Sequence, residues 1–178
     1  MIVFTHRLSF MGLIGEKAQD VASIHIRQET WGAGETGDVP LYGKKPDPAL
    51  NDLRNTRLTQ ARKVFETEGS EAYYPLGKAI CSDFRTLLER MVEFVLLADV
   101  VQRHRRAVTT QGKIHSLAKI KREDCDLIEE LMSKYSRYEH SQSSEAPVDL
   151  PAPDELREDI NRLIVWHGDF TKRPVSAI

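Results

Sequence analysis

The sequence predicts a mainly α protein: a short N-terminal pair of β-strands, then a helical bundle. Three observations predict it. An apolar run, Ile2-Val3-Phe4, opens the chain and stops at Thr5 and His6. From Thr30 to Pro48, glycine and proline interrupt every regular pattern. From Ala49 onward, apolar residues recur at helical spacing.

In chain order, residues 2–5 read as a buried strand, because continuous apolar runs are typical of strands covered on both faces. Ser9 to about Lys17 reads as a short helix, with Phe10, Leu13 and Ile14 at i, i+3, i+4. Residues 21–29 read as a second strand, with Ala22, Ile24 and Ile26 alternating with Ser23, His25 and Arg27. The stretch WGAGETGDVPLYGKKPDP has four glycines and three prolines and reads as a linker over 30–48. The chain therefore divides into 1–29, the linker, and a helical domain over 49–178.

Within that domain, Leu53, Leu58, Ala61, Val64 and Phe65 mark a helix over about 49–68, with a turn at Gly69-Ser70. A longer helix is expected from about Glu71 to Arg105. Its apolar stripe is Phe84, Leu87, Leu88, Met91 and Val95, and Pro75 lies near its start, where proline costs least. Glu123 to about Tyr135 forms a third. HSQSSEAPVDLPAPD is a polar, proline-rich loop. A last helix runs from Asp154 to about Trp166.

Composition narrows the function classes. A net charge of −2 over 178 residues gives no overall bias toward nucleic acid or membrane. Cys81 and Cys125 stand alone, outside any metal-binding spacing, so no metal site is expected and both read as small apolar residues. No apolar run reaches the roughly 18 residues of a membrane span and no secretory leader is evident, so the expectation is a cytoplasmic protein without a membrane partner.

Charge is locally uneven. Arg103, Arg105, Arg106, Lys113, Lys119, Lys121 and Arg122 place seven cations in twenty residues with no acid among them. Clustered cations are the electrostatic footprint of nucleic-acid binding, and also what a solvated face or a surface for an acidic partner looks like.

Ile2-Val3-Phe4-Thr5-His6-Arg7-Leu8-Ser9-Phe10 resembles the strand and H-loop of ABC-type ATPases, in the form found in large bacterial AAA family ATPases with inserted coiled coils. The resemblance implies that His6 senses the γ-phosphate. A histidine at the carboxyl end of a strand is placed for that, though it can equally bond a nearby backbone carbonyl. The likeness continues through Phe84-Arg85-Thr86-Leu87-Leu88-Glu89-Arg90, Val92-Glu93, Leu96-Leu97 and Val100-Val101, then through MSKYSRYEHSQ and LPAPDELREDINRLIVW. It implies the C-terminal part of such an ATPase, beginning inside the ATPase sheet, with a second copy or the rest of the ATPase as partner. No GxxxxGK[ST] loop and no apolar run ending in Asp-Glu occurs, so the chain alone is expected to hold no cofactor and to hydrolyse no ATP. ATP and Mg²⁺ enter only with the rest of the ATPase.

Relatives in that group include ATPase-linked anticodon nucleases, similar to the helical HEPN-type ribonucleases. The resemblance implies a metal-independent RNase acting on tRNA in bacterial defence, with Arg85 and Glu89 as its RxxxE element and His140 as its histidine. The chemistry suits those side chains. Attack by a 2′-hydroxyl needs a base, an acid and a cation for the phosphorane charge. Against this stands a plainer alternative: Arg85 and Glu89, at i, i+4, form a helix-surface ion pair worth about 0.3–0.5 kcal/mol. The helices would then be a non-catalytic interaction or dimerisation module of an ATPase.

Overall fold

The structure, a computed structural model, describes residues 1–7, 10, 11, 14, 18, 20–103, 107–138 and 149–175. It divides into two compact units, Met1–Lys45 and Pro46–Ile178, and the division falls inside the stretch read as linker.

The first unit contains one antiparallel hairpin, β1 (His25–Glu29) and β2 (Gly32–Gly37), joined by Thr30-Trp31. Ile26 faces Thr36 across the ladder, and a bulge lies between Arg27 and Gln28. β2 corrects the reading of 30–48 as linker throughout. Its glycines have little strand preference, but an antiparallel partner supplies the ladder hydrogen bonds that propensity does not. The buried strand expected at 2–5 is also corrected. Those residues lie outside both strands, and Ile2 and Phe4 are 85% and 81% exposed. An apolar run has the composition of a buried strand but brings no neighbour to pair with. The helix expected over 9–17 lies largely outside the described residues; Phe10, Met11 and Ile14 are helical within it.

The regular elements described in the second unit are all helical. α1 (Pro46–Asp52) passes through a π-helical segment, Leu53–Arg57, into α2 (Leu58–Glu68). α3 (Ser70–Met91) continues as a second π-helical segment, Val92–Leu96. A 3-10 helix (Ile114–Lys119) precedes α4 (Arg122–Ser136), and α5 (Pro153–Lys172) completes the unit.

Local chemistry fixes the helix ends. Gly69, at φ 89° and ψ −175°, takes a positive-φ conformation open to glycine and so breaks α2 from α3. Asp124, at the third position of α4, accepts the Lys121 amide at 2.7 Å. Pro153 opens α5, followed by Asp154 and Glu155, whose charges suit a helix N-terminus.

α3 is the central element, touching α1, α2, α4 and α5. The stripe of Phe84, Leu87, Leu88 and Met91 is at most 1% exposed. Phe84 meets the Tyr135 ring edge-on, with centroids 4.7 Å apart. Near the start of α3, Gly77 leaves room for the Tyr73 ring: a Cβ there would fall 2.7 Å from Tyr73 Cζ. The Tyr73 hydroxyl donates to the Pro151 carbonyl at 2.8 Å, tying α3 to the approach to α5.

Two helix ends differ from the sequence reading. α3 and its π-helical extension stop at Leu96, not near Arg105, because Ala98 and Asp99 turn left-handed at φ 49° and 61°. α5 continues past Trp166 to Lys172, because Phe170 extends the buried stripe of Leu156, Ile160, Leu163 and Trp166.

Candidate functional site

The expected RxxxE pair forms on α3. Arg85 Nη1 donates to Glu89 Oε1 at 2.5 Å, and Arg85 Nε donates to Ser136 Oγ at 2.9 Å. Ser136 in turn donates to the Met132 carbonyl at 2.6 Å, so the last turn of α4 holds the arginine fork in place. Arg103, from the expected nucleic-acid-binding run, donates through Nη1 to the other oxygen, Glu89 Oε2, at 2.5 Å. Its Nε is bonded to Glu93. Arg85, Glu89 and Glu93 are largely buried, with side chains 15%, 27% and 14% exposed, while Arg103 is 64% exposed.

The cluster balances two guanidinium groups against two carboxylates. Each Glu89 oxygen accepts a charge-assisted hydrogen bond, the stronger kind. In this arrangement the cluster joins α3, α4 and the turn after Leu96.

His140, Arg105 and Arg106 lie outside the described residues. His6 is exposed in the first unit. Lys113 pairs with Asp99. Lys119 lies over the Phe170 ring, 4.9 Å from its centroid. Lys121 precedes α4, and Arg122 makes a 3.7 Å pair with Asp126 on the exposed helix surface. Three described cations of the run, Arg103, Lys113 and Arg122, thus already face carboxylates. Among the described residues, no group of His, Cys, Asp and Glu converges to hold a metal ion. Cys81 is fully buried, and burial pushes its thiol up to about 12, so it stays protonated at neutral pH.

Two buried carboxylates that sequence reasoning missed carry the densest polar chemistry. Asp124, 2% exposed, accepts the Trp166 indole N–H at 2.9 Å and the Arg173 fork at 2.5 and 3.0 Å, besides the Lys121 amide. Burial works against its charge, but the hydrogen bonds from Arg173, Lys121 and Trp166 outweigh it and hold the carboxyl below its ordinary pKa. Arg173 also donates to the Lys119 carbonyl at 2.7 Å, binding the end of α5 to the start of α4.

Asp159, 4% exposed, accepts from the Tyr135 hydroxyl at 2.7 Å, Lys134 at 2.6 Å and Arg162 at 3.2 Å. Burial, then the bond to Asp159, push the Tyr135 phenol up and keep it protonated. A two-pronged Arg162–Glu130 pair, 2.7 Å on each prong, flanks the cluster. The signal was present in the sequence. Asp124 shares a helical face with Ile128, Leu131 and Tyr135, and Asp159 lies among Leu156, Ile160 and Leu163. An acid on an apolar stripe requires a buried partner.

No protein-family model, curated protein or solved structure significantly matches this chain. No helix among the described residues is long and apolar enough to cross a membrane.

Proposed function

We propose that the chain is a non-catalytic helical module that completes an ABC-type ATPase. Its first unit adds the segment at 2–5 to an open edge of the ATPase sheet, and the helical unit is the rigid body carried with it. One observation carries this reading: Ile2 and Phe4 are 85% and 81% exposed in a segment that pairs with neither strand of the hairpin. An apolar, unpaired segment of this kind can add as a strand to an exposed sheet edge, where main-chain hydrogen bonds give affinity. Docking would set His6, just beyond the new strand, at its carboxyl end, where α/β sheets bind phosphates.

The test mixes the chain with an ABC-type ATPase head truncated before its H-loop strand. The expected result is a one-to-one complex, slowed amide exchange at Val3 and Phe4, and recovered ATP hydrolysis. His6→Ala should keep the complex and lose hydrolysis. Failure to form a complex at tens of micromolar overturns the reading.

A second reading is an endoribonuclease in which Arg85 clamps phosphate and Glu89 moves the proton. It is favoured by the meeting of Arg85, Glu89 and the more exposed Arg103 at one point. Its test is cleavage of tRNA by the purified chain, abolished by Glu89→Gln and by His140→Ala. Intact tRNA after prolonged incubation rejects it.

A further inference from the structure

The turn after the second π-helical segment is unfavourable in its own right. Ala98 and Asp99, neither of them glycine, sit consecutively in the left-handed region, which is costly for side chains with a Cβ. Gln102 is 2% exposed, and both its amide nitrogen and its amide oxygen are buried without a hydrogen-bond partner among the described residues. Buried polar groups left unsatisfied oppose the conformation that buries them.

What opposes that cost is partly backbone and partly charge. The Asp99 amide donates to the Glu93 carbonyl at 2.9 Å, and the Val100 amide to the Leu97 carbonyl at 2.9 Å. Three ion pairs from two cations fasten the turn to its surroundings: Arg103 to Glu89 and to Glu93, and Lys113 to Asp99. Both cations reach solvent, at 64% and 33% exposure.

We propose that this turn is a phosphate-responsive latch. Oligophosphate anions, as an RNA backbone or inorganic polyphosphate presents them, compete with Glu89 and Glu93 for Arg103 and with Asp99 for Lys113, and their binding releases the turn. The geometry of the fork is the reason that binding and release are linked. Arg103 Nε and Nη1 are already committed to carboxylates. Nε carries a single hydrogen, so a phosphate gripped side-on by Nε and the neighbouring Nη2 must take it from Glu93 and expels that glutamate. The phosphate charge then repels the carboxylates it has displaced. Without its ion pairs, the turn keeps two left-handed residues and an unsatisfied Gln102 side chain, and it relaxes. Release also frees Glu89 Oε2. The latch does not depend on docking to an ATPase.

The test is amide exchange at Asp99 and Val100 in the full chain, at constant ionic strength. Inorganic tripolyphosphate and a single-stranded oligoribonucleotide are the two probes. Expected is a saturable acceleration of about fivefold, the scale set by loss of solvent-exposed ion pairs. Sodium chloride at the same ionic strength should not reproduce it. Arg103→Gln, at an exposed position, should exchange faster from the start, and its remaining response, through Lys113, should be smaller. A response to both probes, or to one alone, supports the latch and identifies the phosphate source. Unchanged or slowed exchange with both probes, equal acceleration by chloride, or an undiminished response in Arg103→Gln overturns it.

Discussion

In Met1–Lys45, Ile2, Phe4, Ile24 and Trp31 are 85%, 81%, 71% and 74% exposed, whereas in Pro46–Ile178, Leu50, Leu88, Leu131 and Leu163 are each 0% exposed. Both regions contain large apolar residues, so composition does not separate them. The difference lies in partners. Each α-helix of the second unit buries apolar residues against others, with α3 in the middle. The hairpin of the first unit has two strands, too few for independent stability in water. Apolar sequence becomes a core only where the topology brings a second apolar surface to it.

The largest expected effect tests that contrast directly. Leu88→Ala, at a fully buried site, should cost about 2–5 kcal/mol in urea unfolding, as cavity-forming substitutions do. Phe4→Ala in the isolated chain should stay within about 0.5 kcal/mol, as surface changes do. Similar losses for the two would break the comparison.

Next comes the buried charge at the α4–α5 junction. Asp124→Ala unpairs Arg173, Trp166 and the Lys121 amide together, and should cost about 2–4 kcal/mol, below the full range for a buried pair because the Arg173 side chain is 22% exposed. The pH dependence follows from the sign of the shift. The folded-state pKa of Asp124 lies below its unfolded value. Its stabilisation is therefore complete above the unfolded pKa, about 3.9, and is lost as pH falls through the lower folded value. Trp166 fluorescence should report this acid transition, and Asp124→Asn should flatten that part of the pH profile. An unaltered profile would contradict the assignment.

A smaller effect is expected at the Arg85 cluster. Arg85→Ala leaves the largely buried Glu89 with one guanidinium partner instead of two, and should cost about 1–3 kcal/mol by thermal unfolding. A null result would mean that Arg103 alone satisfies Glu89. The smallest effect belongs to Arg122→Ala, whose pair with Asp126 is a solvent-exposed i, i+4 contact worth about 0.3–0.5 kcal/mol. The ordering Leu88, Asp124, Arg85, Arg122 follows decreasing burial of the interaction removed.

The sequence by itself determined the helices of the second unit and their inward faces. Phe84, Leu87, Leu88 and Met91 repeat at helical spacing, and all four are in the core. The helix expected from Glu123 to about Tyr135 runs from Arg122 to Ser136. The turn at Gly69 was legible because only a residue without a Cβ takes φ 89° at no steric cost. Arg85 and Glu89 were legible as a pair because i, i+4 places them on one helix face.

Tertiary structure decided what local pattern does not encode. Leu97, Ala98, Val100 and Val101 continue the apolar character of α3, yet the chain turns at Ala98 and Asp99, where long-range ion pairs and the Thr109–Val100 backbone bond of 2.9 Å hold it. The basic run was legible as charge, but that Arg103 spends its charge on Glu89 and Glu93 depends on where the turn returns to α3. Residues 2–5 have strand composition, and a strand forms only when another strand offers the other half of each hydrogen bond. The physical reason is the same throughout: periodicity is a property of consecutive residues, whereas ion pairs, sheet ladders and helix ends are set by what folds up against them.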